Sequence, residues 1–255
     1  MKTDQIAAQL YTCRDILTTP AEIARTLGRI RAVGYTAVEI AGLGEIGAAE
    51  LRRILGAEGL AVCGMHADME QIRRKPDKVL AQLLEIGCPT AVYAYPSGVA
   101  MDDLAGLETL IRDLESAARQ MAAGGVALAY HNHGIEFVKI DGVTALDRIY
   151  DSSKNLQAEP DSYWIHYGGG NVVDWCRKLA GRMPLIHLKD YTFTMENRPT
   201  FCEVGAGTLD FKAIVRAAEE AGCRWFVVEQ DTTPGDPVDS LKQSYNYLVA
   251  NVCEH

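Results

Sequence analysis

The chain has 255 residues, 48% hydrophobic and 23% charged, enough to bury one large core or two small ones. A formal net charge of −9 with no basic run argues against nucleic acid and anionic membrane surfaces as partners. No apolar stretch reaches the roughly 18–20 residues of a membrane span. The N-terminal MKTDQIAAQLYTCRD lacks the apolar core of a signal peptide. Seven scattered cysteines without a CxxC pair suit small buried thiols in a reducing, cytoplasmic setting.

A short apolar run followed by a longer amphipathic stretch recurs from end to end. QIAAQLY (5–11) is the first strand expected, and AEIARTLGRIRAVG (21–34) is a helix with Ile23, Leu27, Ile30 and Val33 on one face. AVEIAG (37–42) precedes the helical GAAELRRILGAEG (47–59), with Leu51 and Leu55 four apart. LAVCGMHA (60–67) and TAVYAYP (90–96) come next, then the long helix 102–125, which ends on a glycine pair. VALAYHNH (126–133), LQAEPD (156–161), PLIHLKD (184–190) and RWFVVEQ (224–230) complete the strands. Helix 210–222 lies before the last of them, with Asp210 as its N-cap. Several runs are almost continuously apolar, as in strands buried on both faces.

Eight such units in this length predict an α/β fold, a single-domain (β/α)₈ TIM barrel over residues 1–255. A doubly wound sheet would need a glycine-rich phosphate turn after strand one, where YTCRDILTT has no glycine. VGAGTL (204–209) lacks the Lys-Ser/Thr of a P-loop, which argues against a nucleotide.

A barrel of this kind carries its active site on the loops at the C-terminal ends of the strands. There the last four segments deliver Glu136, Asp161, His187 and Glu229. Singly, Asp161 also reads as a helix cap, His187 as a hydrogen-bonded core histidine, and Glu229 as half of an ion pair. Together, three carboxylates in a partly dry mouth repel one another unless a cation neutralises them. Three oxygens and one imidazole suit Mn²⁺, Mg²⁺ or Co²⁺ better than a structural zinc. His131 and His133, two apart on a strand, point to the same side, and face substrate if that side is the barrel interior. Glu39 and His66 end the second and third strands on the same rim. Lys189, two after His187, is placed to polarise an oxygen.

QLYTCRD, GYTAVEIAG, YHNHGIEF, DSYW, GRMPLIHLKDY, EVGAGTLDF and VVEQD together resemble signatures of the sugar phosphate isomerase/epimerase family, the xylose isomerase-like TIM barrels. The likeness runs nearly end to end. It implies a divalent metal, manganese foremost with Mg²⁺, Co²⁺ or Zn²⁺ as alternatives, held by Glu136, Asp161, His187 and Glu229. It also implies that Glu136 and Glu229 double as acid and base, removing a proton next to the carbonyl of a keto sugar or related polyol through a metal-stabilised enediolate. The alternative on the same barrel is a dehydratase or lyase, of the inosose dehydratase kind or cleaving 3-keto-glycosides by β-elimination. Some relatives place the first carboxylate directly on the strand, where this chain has histidines, so His133 competes with Glu136 as ligand. Trp164 stands where epimerase relatives carry a substrate-gripping histidine, and either stacks on a sugar face or packs. A small sugar or cyclitol is the implied partner, and a homodimer the implied assembly. A nuclease on this barrel would need many more ligands and a basic surface.

Overall fold

The computed structural model describes residues 1–254. Each predicted strand run contains a barrel strand: β1 (Ile6–Gln9), β2 (Ala37–Ile40), β3 (Ala61–His66), β4 (Thr90–Tyr93), β5 (Ala127–His131), β6 (Gln157–Glu159), β7 (Leu185–Leu188) and β8 (Trp225–Val228). They pair in parallel in the order β6-β5-β4-β3-β2-β1-β8-β7. Closure comes from β6 meeting β7: His187 N–H donates to Pro160 O at 2.9 Å, and Asp161 forms a parallel bridge with His187. The result is the (β/α)₈ barrel. The bond that shuts it also sets two of the predicted site residues side by side.

Helices α1 (Pro20–Val33), α2 (Ala48–Glu58), α3 (Met69–Arg74), α4 (Pro76–Ile86), α5 (Leu104–Ala123), α6 (Ala145–Asp151), α7 (Ser162–Tyr167), α8 (Val172–Lys178), α9 (Phe211–Glu220) and α10 (Pro237–Asn251) surround it. Local signals explain their limits. At α1, Thr19 and Glu22 form a reciprocal capping box, Pro20 takes the first turn, and Ile23, Leu27 and Ile30 are buried. None of these helices is long and apolar enough to cross a membrane.

Two apolar layers result. The larger fills the space between strands and helices. The smaller lies inside the barrel, where Ala7, Ala37, Cys63, Leu185 and Val227 pack together. Two residues further along four of these strands the same inward face turns polar, at Gln9, Glu39, His187 and Glu229. Period-two alternation thus stacks a polar layer on an apolar floor at the C-terminal end of the barrel.

The segment 190–209, between the seventh strand and helix 210–222, carries an antiparallel ribbon of Asp190–Phe193 with Pro199–Cys202. Asp190 anchors the turn beyond this ribbon: its carboxylate accepts N–H bonds from Tyr191, Gly205, Gly207, Thr208 and Leu209. Five backbone donors thus satisfy a buried carboxylate.

Candidate active site

Three of the four predicted metal residues converge. His187 Nδ1 lies 2.9 Å from Glu229 Oε2 and 3.8 Å from Asp161 Oδ2, and all three residues are buried. His131 completes the group: one ligand atom from each of His131, Asp161, His187 and Glu229 falls within 4.8 Å of the others. Asp161 serves two purposes at once. Its Oδ1 caps α7 by accepting Trp164 N–H at 2.8 Å, while Oδ2 is buried without a hydrogen-bond partner. Asn132, facing away from the barrel axis, accepts Asp161 N–H at 3.1 Å and fixes the turn.

Glu136 is placed elsewhere. β5 ends at His131, and Glu136 sits five residues on, in the 3₁₀ turn Ile135–Phe137. There its carboxylate curls back beneath the loop, Oε1 accepting Tyr130 O–H at 2.9 Å and Oε2 accepting His133 N–H at 2.8 Å. Both oxygens are engaged and the residue is fully buried, so the structure corrects the expectation that Glu136 joins the other three. Its hydrogen bonds hold His133 instead. His131, expected to face substrate, takes the fourth position, and His133 lies further out with its ring centroid 5.0 Å from that of His131.

Lys189 is buried on the axis. Its Nζ lies 2.8 Å from Glu229 Oε2, 3.1 Å from Asp231 Oδ1 and 3.3 Å from Asp161 Oδ2. One ammonium therefore faces three carboxylates. A cavity of about 500 Å³ opens above, walled by His66, His131, His133, Lys189, Glu229 and Asp231, with Tyr11, Arg14 and Tyr95 nearer solvent. Trp164 is not among the residues lining this cavity; its ring packs 5.2 Å from that of His133 and 5.6 Å from Lys189 Nζ.

One layer deeper are two fully buried glutamates. Glu39 accepts from Gln9 Nε2 at 2.7 Å and meets His187 Nε2 at 2.6 Å. A bulge aims it: the β2–β3 register shifts between Val38 and Glu39, setting Glu39 opposite Gly64. A Cβ on Gly64 would sit 2.7 Å from Glu39 Oε1, so only glycine leaves the carboxylate its space. Glu159, two before Asp161 on the inward face, is ringed by His66, His131 and His187 at 3.4–3.5 Å. Neither Glu159 nor Asp231 was singled out from sequence. Counting by two along the strand from Asp161 and Glu229 finds both.

The electrostatics follow from burial and these neighbours. Burial raises Asp161 to about 6 despite Lys189 and His187. Burial also opposes charge on Glu229, but Lys189 and His187 outweigh it and hold that carboxyl well below its usual range. Burial lifts Glu39 to about 7, with Glu159 adding to the effect. His133 is lowered to about 3 by burial and by Lys189, and His131 falls well below its ordinary value by burial and by His187. His131 and His133 are therefore neutral at physiological pH, the form that ligates metals, whereas Glu159, Glu229 and Glu39 outweigh burial and raise His187 well above its ordinary value, so that ring gives up a proton to a bound cation. The donor set fits a divalent cation: two imidazoles, two carboxylates, and buried atoms without hydrogen bonds, Asp161 Oδ2 and His131 Nδ1.

Known proteins agree with this architecture. The rhizopine catabolism protein MocC of Rhizobium meliloti is 26% identical over 267 aligned residues, covering 90% of this chain and 81% of that protein. A sugar phosphate isomerase/epimerase of Parabacteroides distasonis superposes with a TM-score of 0.82 at 19% identity, covering 98% of this chain and 95% of that one. An L-ribulose 3-epimerase does so with a TM-score of 0.75 at 14% identity, covering 99% and 95%. The model of the xylose isomerase-like TIM barrel matches residues 27–250, and the chain belongs to that family.

Proposed function

We propose that the protein is a divalent-metal-dependent isomerase or epimerase that removes the proton beside the carbonyl of a keto sugar or cyclitol. The observation that carries this reading is the convergence of His131, Asp161, His187 and Glu229 at the base of an open cavity, with neither Asp161 Oδ2 nor His131 Nδ1 hydrogen-bonded. A divalent cation held by these four, manganese foremost, supplies the positive charge that makes a C–H next to a carbonyl acidic.

Glu229 is the base. It lines the cavity and stays ionised beside Lys189 and His187, so it can accept a proton from carbon. Lys189 holds Glu229 and Asp231 in position and presents its ammonium to a substrate oxygen. His133, kept neutral and anchored through its backbone by Glu136, reaches the cavity from the β5 side with Trp164 behind it. Donation of a proton to the opposite face of the same carbon by a second acid, while Glu229 keeps the one it removed, gives an epimer; return of the proton by Glu229 to the neighbouring carbon gives an aldose–ketose isomer. Loss of a leaving group at the β-carbon gives the dehydratase outcome.

The test is deuterium uptake monitored by NMR in D₂O with added Mn²⁺, over keto sugars, 3-keto-glycosides and inososes. Exchange is expected at the carbon next to the carbonyl, abolished by EDTA and reduced about 10²–10⁴-fold in Glu229→Gln. Wild-type exchange rates in Glu229→Gln, or full exchange in EDTA, would contradict the assignment.

A further inference from the structure

Beneath the four converging groups lies a second, more nitrogen-rich set. His66, His131, Glu159 and His187 also bring one ligand atom each within 4.8 Å of the others. Glu159 has no solvent exposure, yet neither of its carboxylate oxygens has a hydrogen-bond partner. Its Oε2 faces His66 Nε2 at 3.4 Å and His131 Nδ1 at 3.5 Å, and its Oε1 faces His187 Nε2 at 3.4 Å. Each separation exceeds the roughly 2.7–2.9 Å of a charge-assisted N–H···O bond. Each nitrogen instead stands from one or other Glu159 oxygen at close to the roughly 3.4 Å that separates two donors about 2.0–2.1 Å from a zinc ion.

We propose that these residues form a second, deeper divalent-cation site, three imidazoles and one carboxylate, that selects nitrogen-preferring Zn²⁺ or Co²⁺ and fills in alternation with the outer, more oxygen-rich site. The selectivity follows from the donors, since imidazole favours zinc and cobalt while carboxylate suits manganese and magnesium. The alternation follows from His187, which turns Nδ1 to Asp161 and Glu229 and Nε2 to Glu39 and Glu159. Serving two ions at once would require that ring to give up both nitrogen protons. His187 Nε2, now 2.6 Å from Glu39 Oε2, must be free of a proton to bind the deep ion. Access runs through His66, which lines the cavity and keeps 16% of its side chain exposed. The proposal rests on the proposed function only where it describes the outer site.

The test measures Zn²⁺ and Mn²⁺ affinity separately, by competition with chelators, in wild type, His66→Asn, Glu159→Gln and Asp161→Asn. The deep site predicts that His66→Asn and Glu159→Gln weaken Zn²⁺ at least thirtyfold while Mn²⁺ changes less than threefold, and that Asp161→Asn does the reverse. It also predicts that the intense visible bands of four-coordinate Co²⁺ appear in wild type and disappear in His66→Asn. Because His66 is partly exposed, that variant decides the matter even if Glu159→Gln fails to fold. Equal losses of Zn²⁺ and Mn²⁺ in His66→Asn overturn the proposal, since the residue then only orients outer ligands. Zinc loss in Asp161→Asn as large as manganese loss overturns it too. A wild type that binds zinc through His66 but no manganese upholds the deep site and removes the outer one.

Discussion

Replacing Lys189 with methionine tests the electrostatics of the site. Methionine keeps the apolar stem and removes the ammonium that stands 2.8–3.3 Å from Glu229, Asp231 and Asp161. Asp161 and Glu229 are nearly or fully buried, so solvent offers them little compensation. Removing one partner of a buried ion pair costs about 3–5 kcal/mol, out of a total stability of about 5–15 kcal/mol for a domain. The variant should therefore fold but unfold at clearly lower urea. A bound divalent cation neutralises two of the same carboxylates, so the penalty should shrink by about 2 kcal/mol in saturating Mn²⁺, equivalent to roughly thirtyfold tighter ion binding by the variant. The assay is urea denaturation at pH 7.5 monitored by tryptophan fluorescence, with EDTA and with Mn²⁺. A loss below about 1 kcal/mol in EDTA, or equal losses in both conditions, would refute the reasoning.

Glu136→Gln should leave Mn²⁺ affinity unchanged while altering KM through the loosened His133 loop; a large drop in affinity would return Glu136 to the ligand set. The same variant should change the pH dependence of stability. Burial raises Glu136 from 4.5 to about 7 in the folded state, so between those values the native chain holds a proton that the unfolded chain has lost. Stability from this group therefore falls as pH rises from about 4.5 to 7, by at most about 3 kcal/mol, and the slope difference between wild type and variant in urea midpoints over that range reads it directly. Asp190→Asn turns an amide NH₂ toward some of five backbone donors and should cost about 3 kcal/mol or more in urea denaturation, whereas a loss under 1 kcal/mol would show that the 203–209 turn stands without it. Burial pushes the thiols of Cys13, Cys88, Cys176 and Cys202 up to about 12, so native protein at pH 7.5 should react with a thiol reagent at two cysteines or fewer, and unfolded protein at all seven.

The barrel was legible because strands buried on both faces must be apolar, and runs such as TAVY and WFVV cannot hide that. The rim was legible for a related reason. An aliphatic strand that ends in Asp161, His187 or Glu229 has delivered a polar group to a known edge of a known fold. Glu136 was misread because apolar periodicity does not show where a strand stops and a turn begins. Only the backbone bend after His131 reveals that the carboxylate points back to Tyr130 and the His133 amide. Glu159 was missed through its proline neighbour and its depth, although alternation from Asp161 pointed to it. The ribbon at 190–202 went unread because DYTF and PTFC are too short to stand out, and their pairing depends on partners that only the fold brings together.

Manganese titration monitored by the EPR signal of the free ion, on wild type and on Asp161→Asn, asks most directly whether groups from four strand ends share one cation. Wild type should bind one outer-site Mn²⁺ per chain, and loss of the Asp161 Oδ2 charge should weaken it at least a hundredfold. Wild type that leaves all the manganese free, or an asparagine variant that binds it equally well, would contradict the account.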